Sequence, residues 1–116
     1  MNENGVGIAA QSIWRFPAVL EQLSQDRTFV EVAEFAGNVS VELYKPVGED
    51  TQTPHTKDEL YIIASGNGQF TLGADELPFA EGDVIFVPAH AEHRFSSFSD
   101  DFSTWVVFFG PEKAAP

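Results

Sequence analysis

The sequence predicts an all-β domain, a sandwich or barrel of short antiparallel strands, and two observations carry this prediction. Short runs rich in β-branched and aromatic residues recur along the chain, and Gly-, Pro- and Asx-rich breaks separate them. The 116 residues are 43% hydrophobic and include eleven phenylalanines. This is enough for one domain with a real core. We therefore expect at least eight strands and negligible helix.

The individual strands follow from alternation and turn chemistry. Val39, Val41 and Leu43 alternate with more polar residues, which is typical of a half-buried strand. The sequence Ser65-Gly66-Asn67-Gly68 is a strong tight-turn signal, so residues 61–64 and 69–72 are predicted to form a hairpin. The complete set of predicted strands covers residues 29–35, 39–44, 60–65, 69–72, 77–79, 84–87, 93–97 and 104–109, the last of them buried on both faces.

The N-terminal part of the chain differs from the rest. Residues 1–27 are predicted to form an N-terminal arm and residues 28–116 the barrel domain. Helical periodicity appears only at residues 18–23. Residues 12–16 are apolar enough to form an edge strand that pairs with a second copy, which predicts a homodimer. The alternative is that Trp14 folds back on its own barrel.

Composition excludes several classes of partner and site. The formal net charge is −12, and so acidic a surface repels phosphate backbones and anionic headgroups, so we expect neither nucleic acid nor a membrane as partner. Because the chain has no cysteine, only histidines and carboxylates remain as the usual metal ligands. There is no signal-like N-terminus and no apolar run of membrane-spanning length, so we expect a cytoplasmic protein.

A polar cluster stands at the start of one predicted strand. His55 lies in a Pro-rich loop and precedes Glu59 by four residues, and Glu59 shares one strand face with Tyr61 and Ile63. A carboxylate on an inward face is costly unless it meets a cation or a hydrogen-bond donor. The chemistry of this stretch therefore calls for a partner from elsewhere in the chain.

A second cluster follows about twenty residues later. Pro88 ends a strand, His90 lies in the next turn, and His93 begins another strand, whose Phe95 and Ser97 share its face. His90 has two interpretations. It is either a turn residue with positive φ, which histidine tolerates moderately, or a substrate contact.

Together these two stretches resemble the two signature motifs of the cupin superfamily. The first motif is matched at His55-x3-Glu59-x6-Gly66, and the second at Gly82-x5-Pro88 and His93. The resemblance implies a double-stranded β-helix, the cupin jelly-roll barrel. It also implies one divalent transition metal held by His55, Glu59 and His93, and such ligands suit Fe, Mn, Ni, Co or Zn. The alternative is a degenerate barrel that keeps these polar groups without a metal.

Some positions depart from the family pattern. Thr53 stands where the first motif has an additional histidine, and neighbouring Gln52 is a candidate for an additional ligand. His90 replaces a glycine of the second motif and Ser97 replaces its terminal asparagine. Gly48 lies one residue too close to serve as the opening glycine of the first motif.

Two functions remain open from the sequence. The first is a metalloenzyme of oxygenase, isomerase or lyase type that acts on a small organic substrate, with no catalytic residue assigned. The second is a non-catalytic cupin that binds or senses a small ligand. Candidate pocket residues are Tyr61, His90, Phe95 and Ser97, and Tyr61 could equally be core. A lumen with polar groups beyond the three ligands favours catalysis, and one walled by Phe, Ile and Val favours an apolar ligand.

Overall fold

The computed structural model describes residues 12–115, which form eight strands and one short helix. The elements are α1 (Phe16–Leu20), β1 (Phe29–Phe35), β2 (Val39–Tyr44), β3 (Asp58–Ser65), β4 (Asn67–Leu72), β5 (Asp75–Ala80), β6 (Val84–Val87), β7 (His93–Phe98) and β8 (Ser103–Phe109). The all-β prediction is confirmed, and β1 and β2 have the predicted bounds. Within this part of the chain no helix is long and apolar enough to cross a membrane.

The strands form two antiparallel sheets with the main core between them. One sheet has the order β1-β2-β8-β3-β6 and the other the order β5-β4-β7. Strands of both sheets contribute to one buried apolar cluster, whose members are Tyr61, Ile63, Phe70, Phe79, Val87, Phe95, Phe102 and Val106. This two-layer arrangement is consistent with the predicted jelly-roll barrel.

The predicted hairpin between residues 61–64 and 69–72 is wrong. Strand β3 pairs with β6 and β8, whereas β4 pairs with β5 and β7. Only Gly66 separates β3 from β4, which leaves no room for a hairpin loop, and its φ of +83° redirects the chain from one sheet into the other. A Cβ atom at Gly66 would lie 2.6 Å from the Cα atom of Phe102. Glycine is therefore required by both conformation and close packing.

The predicted N-terminal strand is also wrong. Residues 13–15 have no regular structure and helix α1 begins at Phe16, because Pro17 favours the first turn of a helix and cannot donate to a sheet. The aromatic rings of this segment pack on the chain's own five-stranded sheet. The Trp14 ring lies 5.9 Å from that of Phe35, and the Phe16 ring lies 6.3 Å from that of Trp105. Trp14 therefore folds back on its own barrel, which was the alternative to an intermolecular strand.

Candidate metal centre

Three side chains, one from a loop and one from each sheet, meet in the barrel. His55 lies in the loop before β3, Glu59 is the second residue of β3, and His93 is the first residue of β7. Their potential ligand atoms all lie within 4.8 Å of one another. His93 Nε2 is 3.2 Å from Glu59 Oε1, and His55 Nε2 is 3.8 Å from the same oxygen. The structure thus brings together the three residues that the motifs single out.

These ligand atoms are buried without hydrogen bonds. Glu59 is fully buried and His93 nearly so. Both carboxylate oxygens of Glu59 and the Nε2 atoms of His55 and His93 have no hydrogen-bond partner. Buried polar atoms are satisfied in the great majority of cases, so four such atoms in one cluster need an explanation. A bound cation would satisfy all four at once.

The second ring nitrogen of His93 fixes which nitrogen faces the cluster. His93 Nδ1 lies 2.9 Å from the Ala91 carbonyl oxygen, which can only accept, so Nδ1–H is the donor. The lone pair of Nε2 then points toward Glu59, as in a metal-ligating histidine whose other nitrogen is held by the backbone. Burial lowers the pKa of His55 despite the Glu59 carboxylate. Burial also opposes charge on His93, but Glu59 and the Ala91 carbonyl outweigh it and raise the pKa of His93.

A buried polar network lies beside the cluster. Asp50, only 1% exposed, accepts hydrogen bonds from the Tyr44 hydroxyl, the Phe95 backbone N–H and both the backbone and side-chain nitrogens of Gln52. Gln52 Oε1 in turn accepts a hydrogen bond from the Tyr61 hydroxyl, with an O–O distance of 3.0 Å. Sequence reasoning missed Asp50. The available signal was its spacing to Gln52, because an Asp oxygen that accepts the N–H two residues on is a common turn device.

Both tyrosines of this network are held as hydrogen-bond donors. Burial, followed by the hydrogen bond to Asp50, raises the pKa of Tyr44. Burial, followed by the nearby Glu59 carboxylate, raises the pKa of Tyr61 far above its usual value. The amide oxygen of Gln52, the candidate additional ligand, already accepts a hydrogen bond from the Tyr61 hydroxyl, which leaves one of its two lone pairs for a metal.

Tyr61 and Phe95 are core residues beside the cluster, whereas His90 is not part of it. Tyr61 and Phe95 are almost fully buried with ring centroids 4.8 Å apart. His90 has a φ of +67°, as expected for the turn interpretation. Its Nε2–H donates to the Lys113 carbonyl oxygen, which holds the ring at the C-terminal segment.

The prediction that Ser97 shares the inward face of β7 is wrong, because Ser97 is exposed. A register shift opposite Gln69 and Phe70 leaves one extra residue in β7, so the alternation changes phase. Phe98, instead of Ser97, packs against the core.

A cavity of about 480 Å³ adjoins the cluster. Its lining includes Gln52, Thr53, Pro54 and His93. The cavity therefore lies against His93, whose side chain is itself only 1% exposed, and Thr53, at the position of the missing histidine, lies in its wall.

Comparison with known proteins identifies the family. A cupin-domain family model matches residues 40–109, more than half of the chain and a range that contains all three clustered residues. The chain therefore belongs to the cupin family.

The chain is also similar to individual proteins. An uncharacterised protein of Streptomyces coelicolor is 42% identical over 77 residues, which cover 65% of this chain and 73% of that protein. A cupin-2 domain protein of Shewanella frigidimarina has a TM-score of 0.72 at 17% identity, over 90% of this chain and 100% of that one. The DMSP lyase DddQ of Ruegeria pomeroyi has a TM-score of 0.61 at 21% identity, over 81% of this chain and 54% of the lyase. At these identities the two structures show the fold alone.

Proposed function

We propose that this cupin binds one divalent transition metal through His55, Glu59 and His93. The observation that carries the proposal is the group of four buried ligand atoms without a hydrogen-bond partner. Two imidazoles and one carboxylate suit Fe, Mn, Ni, Co or Zn. The backbone carbonyl that accepts the Nδ1–H of His93 supports the same assignment, because it presents Nε2 to the cluster.

We further propose that the metal-loaded protein is an enzyme acting on a small organic substrate. The metal would supply a Lewis acid or a site for dioxygen activation. The protein supplies a fixed polar network beside it: Asp50 holds Gln52, and Gln52 holds the Tyr61 hydroxyl. This chain of hydrogen bonds gives the lumen polar groups beyond the three ligands, which favours catalysis. Oxygenase, isomerase and lyase chemistry all remain compatible with it.

The alternative is a non-catalytic cupin that binds or senses a small ligand. The observation that favours it is the aromatic lining of the barrel, since the Phe70 and Phe95 ring centroids lie only 4.9 Å apart and both side chains are buried. Such a lumen suits an apolar ligand. Turnover of a substrate by the metal-loaded protein would separate the two functions.

Metal analysis of the purified protein tests the metal proposal. Protein produced with ample iron, zinc, manganese and nickel should carry about one metal ion per chain, and His55→Ala should lose it. His90→Ala is the matched control, because His90 lies in a nearby turn and its ring contacts Lys113 instead of the cluster. Absence of metal from the wild-type protein, or equal loss in both variants, would contradict the proposal. Oxygen-consumption screening with the restored metal then tests for oxygenase chemistry.

We also propose a cytoplasmic homodimer. Since residues 12–16 do not form a strand, support for a dimer comes from exposed apolar side chains such as Ile13, which is 49% exposed, and Phe29, which is 57% exposed. Light scattering should give about twice the chain mass of 12.7 kDa. A mass of one chain that does not change with concentration would contradict the dimer.

A further inference from the structure

The two sheets do not close against each other on one side of the barrel. Strands β5 and β6 are the edge strands of different sheets, and a slot of about 410 Å³ lies between them. Its floor includes the buried rings of Phe70 and Phe79. The volume falls within the range of small-molecule sites, which are concave and mostly apolar.

The walls of the slot expose apolar side chains that the strand register directs inward. Leu77 is paired with core residue Phe70, so it lies on the core face of its sheet, yet it is 66% exposed. Ile85 is paired with Tyr61 in the same way and lines the opposite wall. Phe86, 50% exposed, forms part of the rim. An inward-facing leucine that remains largely exposed marks apolar surface that a ligand could cover.

The charges of the slot restrict its ligand. Two carboxylates, Asp75 and Asp83, line it, and none of its lining residues is basic. The net charge of −12 for the whole chain acts in the same direction. An anionic amphiphile would therefore be repelled, whereas an uncharged or cationic apolar molecule would not.

The slot lies one side chain away from the candidate metal centre. The ring centroid of Phe70 in the floor is 6.3 Å from that of His93. Leu72, another lining residue, is the cross-strand partner of His93. A molecule held in the slot thus lies beside Phe70 and Leu72, the two lining residues that adjoin His93.

We propose that the slot between β5 and β6 binds the hydrocarbon part of an uncharged or cationic small molecule. This proposal adds to the proposed function the class of ligand that the barrel would hold beside the metal centre. It rests on the proposed function only for the presence of the metal. A small molecule is favoured over a protein segment because the slot extends inward between the sheets to the buried rings of Phe70 and Phe79.

Binding of straight-chain probes tests the proposal. Alkylamines, alcohols and alkanoates of four to eight carbons would be titrated into the purified protein and followed by methyl NMR and calorimetry. Amines and alcohols should bind about fourfold more tightly per added methylene, as expected for burial of hydrocarbon. They should shift the methyl signals of Leu77 and Ile85. Alkanoates of equal length should bind at least tenfold more weakly than the amines.

Variants locate the binding site. Leu77→Lys should weaken amine binding at least tenfold, and this exposed position should tolerate the change without loss of the fold. Phe29→Lys is the matched control, because Phe29 is similarly exposed but lies on β1 at the opposite edge of the five-stranded sheet. The proposal would be overturned if amine affinity did not depend on chain length, if alkanoates bound as tightly as amines, or if Leu77→Lys bound amines as tightly as the wild-type protein.

His55→Ala separates this proposal from the metal proposal. Probe binding that persists in this variant supports the slot, and binding that vanishes with the metal would overturn it, since the probe would then be a metal ligand. If the wild-type protein, produced with ample metals, contains no metal and still binds the amines, the metal proposal is contradicted and the slot proposal stands.

Discussion

Replacing Glu59 with glutamine should stabilise the metal-free protein and abolish its response to metal. Glu59 is fully buried, and neither carboxylate oxygen has a hydrogen-bond partner. Leaving a buried polar group unsatisfied costs about 1–3 kcal/mol, and more when it is charged. Glutamine has nearly the same volume, removes the charge and provides an N–H₂ donor close to His93 Nε2, which lies 3.2 Å from Glu59 Oε1. We therefore expect the free energy of unfolding to rise by about 1–3 kcal/mol.

Urea and thermal unfolding at pH 8 in the presence of EDTA measure this gain. For a domain of this size it corresponds to a rise in Tm of roughly 3–6 °C per kcal/mol. Adding the metal at one hundred times its Kd should stabilise the wild-type protein by about 2.7 kcal/mol, because the ion binds only the folded state. Glu59→Gln should show little of this stabilisation. For gains toward the lower end of the range, the order of stability of the two proteins therefore reverses when metal is added.

The sign of the metal-free result decides the argument. Glu21→Gln is the control, since Glu21 is exposed and its neutralisation should change stability by less than about 0.5 kcal/mol. A loss of more than about 1 kcal/mol in metal-free Glu59→Gln would show that the folded protein satisfies this carboxylate without an ion. The case for a metal would then lose its main support.

Two further predictions concern stability. Burial and repulsion by Glu59 and Glu31 raise the pKa of Glu42 from 4.5 to about 7. The folded protein therefore holds this carboxyl better in its neutral form, and ionisation lowers the free energy of unfolding. This loss is absent below about pH 4.5 and complete above pH 7. Glu42→Gln should thus stabilise by roughly 2 kcal/mol more at pH 8 than at pH 5, and an equal gain in urea unfolding at both values would refute this. Gly68→Ala should cost more than about 2 kcal/mol, because its Cβ would lie 2.8 Å from Phe98 Cα. A Cβ at Gly73 would meet nothing within 4 Å, so Gly73→Ala should cost only the strain of a side chain at its φ of +60°, and its thermal shift should be smaller.

The parts of the fold that were predictable from sequence are those in which local pattern and tertiary environment agree. Strand β2 has the predicted bounds, and Leu43 on its apolar face is fully buried in a second core cluster with Val19 and Val30. Glu59, Tyr61 and Ile63 are all buried, as their shared strand face predicts, while Ile62 between them is 40% exposed. The clustering of the three candidate ligands was implied by the resemblance of the two stretches to the cupin motifs.

The incorrect predictions arise where the deciding contact is distant in sequence. Gly66 has the composition of a turn, but its close approach to Phe102, 36 positions later, determines that the chain changes sheets instead of forming a hairpin. Similarly, Ser97 was expected to face inward from alternation alone, and the bulge that exposes it is visible only in the pairing of β7 with β4. A local window contains neither relationship.

Two buried carboxylates in this barrel show why the metal inference does not depend on burial alone. Asp50 is as inaccessible as Glu59, but four donors point to its oxygens, so it needs no cation and was invisible to a search for ligand motifs. The oxygens of Glu59 have no hydrogen-bond partner, and Oε1 lies 3.2 Å from His93 Nε2 and 3.8 Å from His55 Nε2. The same fold thus satisfies one inward carboxylate with four donors and places the other beside two imidazole nitrogens, the kind of group that binds a transition metal together with a carboxylate. A general tolerance for buried acids would not produce that difference, whereas a requirement for an ion at Glu59 would.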